Sequence, residues 1–183
     1  APPADQAHFS EKLVSVPGSY QVNDSQRPVA DRVPSRRELG LPEEGFVFCC
    51  FNQSYKITPE VFAIWMRLLD RVANSVLWLV EFNPHAAENL RREAAKRGID
   101  PTRLVFAPKA PGPEHLARTQ NADLFLDTWP YNAHTTASDA LWAGLPVVTK
   151  PGEQFSARVA ASLLNAIGLP ELIADTEEEY EAL

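Results

Sequence analysis

The chain has 183 residues, 45% of them hydrophobic and 22% charged, with a formal net charge of −7 at pH 7. That size suits one compact soluble domain, since domains usually run to about 100–200 residues. The acidic balance argues against a nucleic-acid partner, which needs clustered Lys and Arg, and no apolar run approaches the roughly 18 residues of a membrane span.

Residues 1–42 are irregular, with Pro2, Pro3, Pro17, Pro28 and Pro34 and no sustained period. They read as a crossover or linker entering residues 43–183, with an extended piece near Tyr20-Gln21-Val22. No signal-peptide pattern opens the chain, and the initial Ala is expected of a processed or excised piece. Regularity begins after Gly45. Phe46–Phe51 reads as a buried strand. Its adjacent Cys49 and Cys50 point to opposite faces and are poorly placed to bridge. Both read as buried hydrophobes in a reducing compartment, and no partners at zinc spacing accompany them.

Thr58-Pro59-Glu60 starts a helix, with Thr as cap and Pro in the first turn, and Val61, Ile64, Trp65, Leu68 and Leu69 follow at helical spacing. Val76–Val80 is the next strand. A helix then runs to Lys96-Arg97-Gly98, a basic last turn before a Gly stop. Leu104–Phe106 is a strand, 114–120 a helix and Leu124–Leu126 a strand. A helix from Thr135 ends at Gly144, Pro146–Val148 is a strand, and a helix over 156–167 ends at Gly168. Glu177, Glu178, Glu179 and Glu181 read as a solvated helix face. Strands alternating with helices predict an α/β fold, a Rossmann-like parallel sheet covered on both faces. Ligands of such sheets bind beyond the carboxyl ends of the strands.

The chemistry-bearing residues fall in those places. His134-Thr135-Thr136-Ala137-Ser138-Asp139 follows a strand and opens a helix, where free N–H groups and the helix dipole favour an anion. A Thr-rich cap without ligand is the plainer reading. Lys56 and Gln53 follow the first strand, and Lys109 the third; each can reach an anion or simply be a loop residue. His115 and Arg118, three apart, share a helix face fit to stack on a base. Asp139 shares the face of Thr135 and Thr136 and suits ribose hydroxyls. Trp129-Pro130-Tyr131 can wall a pocket. There is no Gly-x-Gly-x-x-Gly, no Walker pattern and no Asp-x-Asp pair, so a dinucleotide dehydrogenase, a P-loop NTPase and a metal-held diphosphate are disfavoured.

Together these segments resemble the C-terminal half of the catalytic region of O-linked N-acetylglucosamine transferases, including the bacterial relatives and the SPINDLY-like proteins. Phe51-Asn52-Gln53-Ser54-Tyr55-Lys56-Ile57 is similar to the family's Phe-Asn-Gln-x-x-Lys-Ile loop. Asn74–Leu79, Ala107-Pro108-Lys109 with Glu114-His115 and Arg118, Asp127-Thr128 through His134-Thr135-Thr136 and Asp139, Leu141–Gly144, Pro151-Gly152-Glu153 and 156–162 continue the likeness. Even Phe9–Leu13 resembles the crossover into this half.

The resemblance implies one of the two facing Rossmann-like halves of an inverting, metal-independent GT-B glycosyltransferase, cytoplasmic and attached upstream to tetratricopeptide repeats. The implied donor is a UDP-sugar, and the acceptor is a protein Ser or Thr reached through regions outside this chain. No cofactor is implied, nor a nucleic-acid or membrane partner. By resemblance, Gln53, Lys56, His134, Thr135 and Thr136 contact the diphosphate, and Lys56 stabilises the leaving group. The Ala107 backbone and Arg118 contact the base, His115 packs on it, and Lys109 and Asp139 serve the ribose. Two positions depart from the family pattern. Ala110-Pro111-Gly112-Pro113 makes a longer loop than the animal enzymes have. Tyr131 stands where those enzymes carry a small residue near the sugar's N-acyl group, which leaves the sugar open. A cytoplasmic protein N-glucosyltransferase, a GDP-fucose-type O-fucosyltransferase and a non-catalytic interaction domain are the alternatives.

Overall fold

Five apolar runs form five strands of one sheet: β1 (Val47–Cys50), β2 (Val76–Val80), β3 (Leu104–Ala107), β4 (Leu124–Leu126) and β5 (Val147–Val148). The computed structural model describes residues 3–183. The strands lie in the order β3-β2-β1-β4-β5, every pairing parallel. At the centre Cys49 pairs in register with Trp78 on one side and Phe125 on the other. Helices cover both faces, so residues that point either way from β1 and β2 are buried, and these strands read as unbroken apolar runs. Cys49 and Cys50 are free, buried thiols, and burial pushes both pKa values up.

The entry to β1 is fixed from two sides. Asp123 accepts from the Val47 N–H (2.7 Å) and from Arg36 (2.8 Å), and Arg36 also donates to the Gly45 carbonyl (2.8 Å). Gly45 has φ +110°, and a Cβ there would lie 2.1 Å from the Asn74 carbonyl oxygen. Only glycine allows that approach.

The helices are α1 (Pro59–Arg71), α2 (Pro84–Lys96), α3 (Gly112–Thr119), α4 (Thr135–Trp142), α5 (Val159–Ala166) and α6 (Glu177–Ala182). The Thr58 hydroxyl caps α1 by accepting from the Val61 N–H, and Val61, Ile64, Trp65, Leu68 and Leu69 are buried as their spacing predicts.

Three expectations need correction. The third helix starts at Gly112 rather than 114, because Pro113 is tolerated in a first turn. The helix expected over 156–167 is broken: a 3-10 turn, Phe155–Ala157, precedes α5, and Arg158 between them leaves helical geometry at φ −126° and ψ 0°. Glu181 does not belong to a solvated face. Its side chain is only 9% exposed and pairs with Arg67 and Arg71. Beyond β5 the sheet gains one more parallel bridge, Thr149 to Ile173.

The leading segment lies against the domain. Ser19 meets Ser162 at 2.8 Å, the Ala30 N–H donates to the Pro113 carbonyl (3.1 Å) and Asn121 donates to the Pro34 carbonyl (2.9 Å).

Candidate functional site

In this sheet β1 neighbours both β2 and β4, so the direction of chain progression reverses between β1 and β4. A crevice opens beyond the carboxyl ends of those two strands, where open α/β sheets bind ligands. Its floor is a buried polar network. Asn52, just past β1, donates to Thr128 Oγ1 (2.9 Å), and its Oδ1 accepts from the Thr136 hydroxyl. Asp127, just past β4, is fully buried. It accepts from the Thr128 N–H (2.7 Å), the Ala133 N–H (2.6 Å) and the Thr149 hydroxyl (2.6 Å). Burial pushes its pKa up to about 7, against the pull of these donors and of Lys56. The network ties the β4 loop back onto itself, and so delivers His134 and the start of α4 to the crevice.

The crevice, about 260 Å³, is lined by Phe51, Asn52, Gln53, Tyr55, Lys56, Phe82, Tyr131, His134, Thr135 and Thr136. Lys56 ends the 3-10 turn after β1. Its Nζ donates to the Asn132 carbonyl (2.9 Å) and sits 3.7 Å over the Tyr131 ring. Burial lowers its pKa, while the nearby Asp127 carboxyl raises it. Gln53 is exposed at the lip. No side chain caps α4, and its first intrahelical bond runs from the Ser138 N–H to the His134 carbonyl (3.0 Å). The N–H groups of Thr135, Thr136 and Ala137 precede that bond, at the positive end of the helix. His134 Nε2 lies 3.2 Å from the Ser156 carbonyl, which can only accept, so Nε2 carries the proton. Its Nδ1 then accepts from the Tyr20 hydroxyl at 2.9 Å. Burial and Lys56 lower the His134 pKa, with the Ser156 contact opposing.

A second cluster adjoins the first through Phe51. The His115 ring meets Phe51 edge-on at 5.0 Å. Arg118 is buried, donating to the Pro108 carbonyl (2.6 Å) and through Nε to His115 Nδ1 (3.2 Å). Burial and Arg118 bring the His115 pKa down to about 4, so the ring is neutral near pH 7. The Ala107 carbonyl accepts from the Glu81 N–H (2.8 Å). Lys109 is exposed, 5.2 Å from the ring of Phe82, which itself lines the crevice. Asp139 lies on α4 facing the leading segment, 2.6 Å from Arg27.

The structure thus brings Gln53, Lys56, His134, Thr135 and Thr136 into one crevice. It sets His115 and Arg118 beside it, with Lys109 and Asp139 at the margins. Sequence reasoning missed the roles of Asn52 and Asp127, although each is a polar residue just past an apolar run. It also missed Tyr20 and Arg27, which carry no local signal. Among the described residues no group of three or more His, Cys, Asp or Glu could hold a metal ion, and no helix is long and apolar enough to cross a membrane.

Comparison with known proteins adds to this geometry. Residues 18–183 match the family described as Glycosyl transferase family 41. A probable UDP-N-acetylglucosamine–peptide N-acetylglucosaminyltransferase SEC of Arabidopsis thaliana is 44% identical over 98% of this chain and 19% of its own length. The UDP-N-acetylglucosamine–peptide N-acetylglucosaminyltransferase of Caenorhabditis elegans is 46% identical over 81% of this chain and 13% of its own. Among solved structures, an O-GlcNAc transferase mutant of Thermobaculum terrenum superposes with a TM-score of 0.83 at 32% identity, covering 99% of this chain and 34% of that one. The chain therefore spans about a fifth of its Arabidopsis relative and a third of the solved one. The expected Rossmann-like half of a GT-B enzyme is borne out by that superposition.

Proposed function

This chain belongs to glycosyl transferase family 41, and on that premise we propose that it is the donor-binding half of a protein O-glycosyltransferase that takes a UDP-sugar and glycosylates Ser or Thr. The carrying observation is that Lys56, Thr135, Thr136 and the free N–H groups of α4 line one crevice at the sheet's switch point. That arrangement fits a diphosphate. Neutral His115, edge-on to Phe51 and bonded to Arg118, offers a flat wall for the base. Lys109 and Asp139 serve the ribose in this proposal.

An acceptor hydroxyl attacks the anomeric carbon from the face opposite the leaving group, and the carbon–oxygen bond to UDP breaks with inversion. Negative charge grows on the departing phosphate, where Lys56 and the α4 N-terminus stabilise it. One cation and the positive end of a helix dipole support a metal-independent reaction. Tyr131, stacked on Lys56, stands at the sugar end of the crevice in this proposal and narrows it. The acceptor and the proton-transfer groups come from the rest of the enzyme, so the isolated chain binds donor but transfers no sugar. A reducing, cytoplasmic setting belongs to the same proposal, supported by the two unpaired thiols.

Calorimetric titration of this chain with UDP in chelator tests the reading. Binding at roughly micromolar to millimolar Kd is expected, since half the cleft is missing. Equal affinity for GDP would overturn the choice of base. Binding that appears only with magnesium would overturn metal independence. No nucleotide binding under any condition would leave an interaction domain.

A further inference from the structure

Residues 20–27 reach across to α4 with three side chains in succession. The Tyr20 hydroxyl meets His134 Nδ1 at 2.9 Å. Asn23 Oδ1 accepts from the Ser138 hydroxyl at 2.6 Å. Arg27 Nη2 lies 2.6 Å from Asp139 Oδ1. Between the last two the strap turns tightly, with the Gln26 N–H donating to Asp24 Oδ1 (2.8 Å) and the Arg27 N–H to the Asp24 carbonyl (3.3 Å). The Tyr20 ring is held in turn by Phe155 at 4.8 Å.

We infer that this strap is a part of the nucleotide site, with Tyr20 and Arg27 as positioning residues for the phosphate and ribose ends. The inference rests on the donor-binding reading above. The chemistry is specific at each end. His134 can hold only one neutral tautomer when Nε2 donates to the Ser156 carbonyl, and a hydroxyl donating to Nδ1 selects that tautomer. The ring is thereby locked at the N-cap of α4, beside the free N–H groups. Asp139 on a bare helix would sample several rotamers; the charge of Arg27, 2.6 Å from Oδ1 but not aligned for a hydrogen bond, favours one and leaves Oδ2 to a ribose hydroxyl. Arg27 also brings positive charge toward His115 and the base wall, in a chain whose net charge is −7. Asn23 fastens the middle of the strap to the buried Ser138, so both ends share one anchor.

Titrations of the chain with UDP and with uridine separate the roles. Freezing one side chain is worth a factor of roughly three to ten in affinity. Tyr20→Phe should weaken UDP by that factor and leave uridine within about twofold. Arg27→Ala should weaken both ligands by a like factor, and Arg27→Lys should restore most of the loss, because the contact is an ion pair to one oxygen and not a bidentate fork. Loss of uridine equal to loss of UDP in Tyr20→Phe overturns the assignment of Tyr20 and points to general loosening of α4. Tighter UDP binding in either variant also overturns the inference, because the strap would then obstruct the site. Should the unaltered chain bind neither ligand, the donor-binding reading fails by itself, and imidazole nitrogen NMR still judges the strap. His134 is expected as the Nε2–H tautomer, turning to a mixture in Tyr20→Phe. An unchanged tautomer overturns the inference.

Discussion

The strands β1 and β4 are lined differently along their length and at their ends. Along one face, Phe46, Phe48, Leu124 and Leu126 form an apolar groove, closed by α6 through Tyr180 and Leu183. Just past the carboxyl ends, Asn52, Asp127, Thr128 and Asn132 are polar yet more deeply buried than Phe46 of that groove, which is 36% exposed. The difference follows from where the backbone finds its partners. Inside the strands the ladder satisfies N–H and C=O, so side chains are free to be apolar. Past the ends the chain leaves the ladder, and buried side chains must take its place. The polar end is therefore the shaped end, because hydrogen bonds fix direction as well as distance. Asp127 is the joint between the two regions. Its carboxylate holds the crevice loop, while its carbonyl accepts from the Tyr180 hydroxyl of α6 at 2.9 Å.

Breaking that joint should have the largest effect. Asp127→Ala leaves the Thr128 N–H, the Ala133 N–H and the Thr149 hydroxyl buried without an acceptor, an expected loss of about 3–5 kcal/mol in urea unfolding. Asp127→Asn keeps one acceptor oxygen and should cost less. The pair also separates geometry from charge. The folded pKa is raised to about 7 from an ordinary 3.8. Between those values the folded state holds more of this proton than the unfolded chain does. The group's contribution is therefore fully present below about pH 4 and is lost as pH rises through 7. Unfolding free energies from pH 4 to 8 should fall more steeply in the unaltered protein than in Asp127→Asn. Parallel curves would show that Asp127 is ionised throughout.

Lys56 tests the polar end as a binding site rather than as a scaffold. A charge-assisted bond to phosphate is worth about 1.5–3 kcal/mol. Lys56→Ala should weaken UDP by roughly that amount and uridine little. Equal losses for both ligands would make Lys56 a structural anchor for the Asn132 carbonyl.

The sequence shows one of these regions more plainly than the other. The strands, the α1 cap and the later helix stops were legible because their causes are local: unbroken apolar runs, Thr58 before Pro59, and Gly98, Gly144 and Gly168 past a last turn. The crevice was legible through Lys56 and His134–Thr136, each just beyond a strand. The network behind them was not. Asn52 bonds to residues 76 and 84 positions away, and Tyr20 to one 114 away. No period or spacing in the chain encodes such a pairing. Glu181 was misread for the same reason, since its partners Arg67 and Arg71 lie on another helix.

That misreading supplies the smallest and most discriminating prediction. Glu181 belongs to the apolar region, where it caps the edge of the groove against two arginines that are 50% and 63% exposed. Water and salt screen such pairs, so Glu181→Gln should cost only about 0.2–1 kcal/mol. Hydrogen bonding and charge from Arg67 hold the carboxyl below its ordinary value of 4.5. Its stabilisation is present above that value and is lost as pH falls through the lower folded pKa. The unfolding difference between the two proteins should therefore be measurable at pH 7, shrink in high salt and vanish in acid. UDP affinity should not change, because Glu181 faces the apolar groove and not the crevice. If Glu181→Gln weakened UDP as Lys56→Ala does, the two regions would be one coupled unit joined through Tyr180 and Asp127, and the separation of shaped end from packed face would fail.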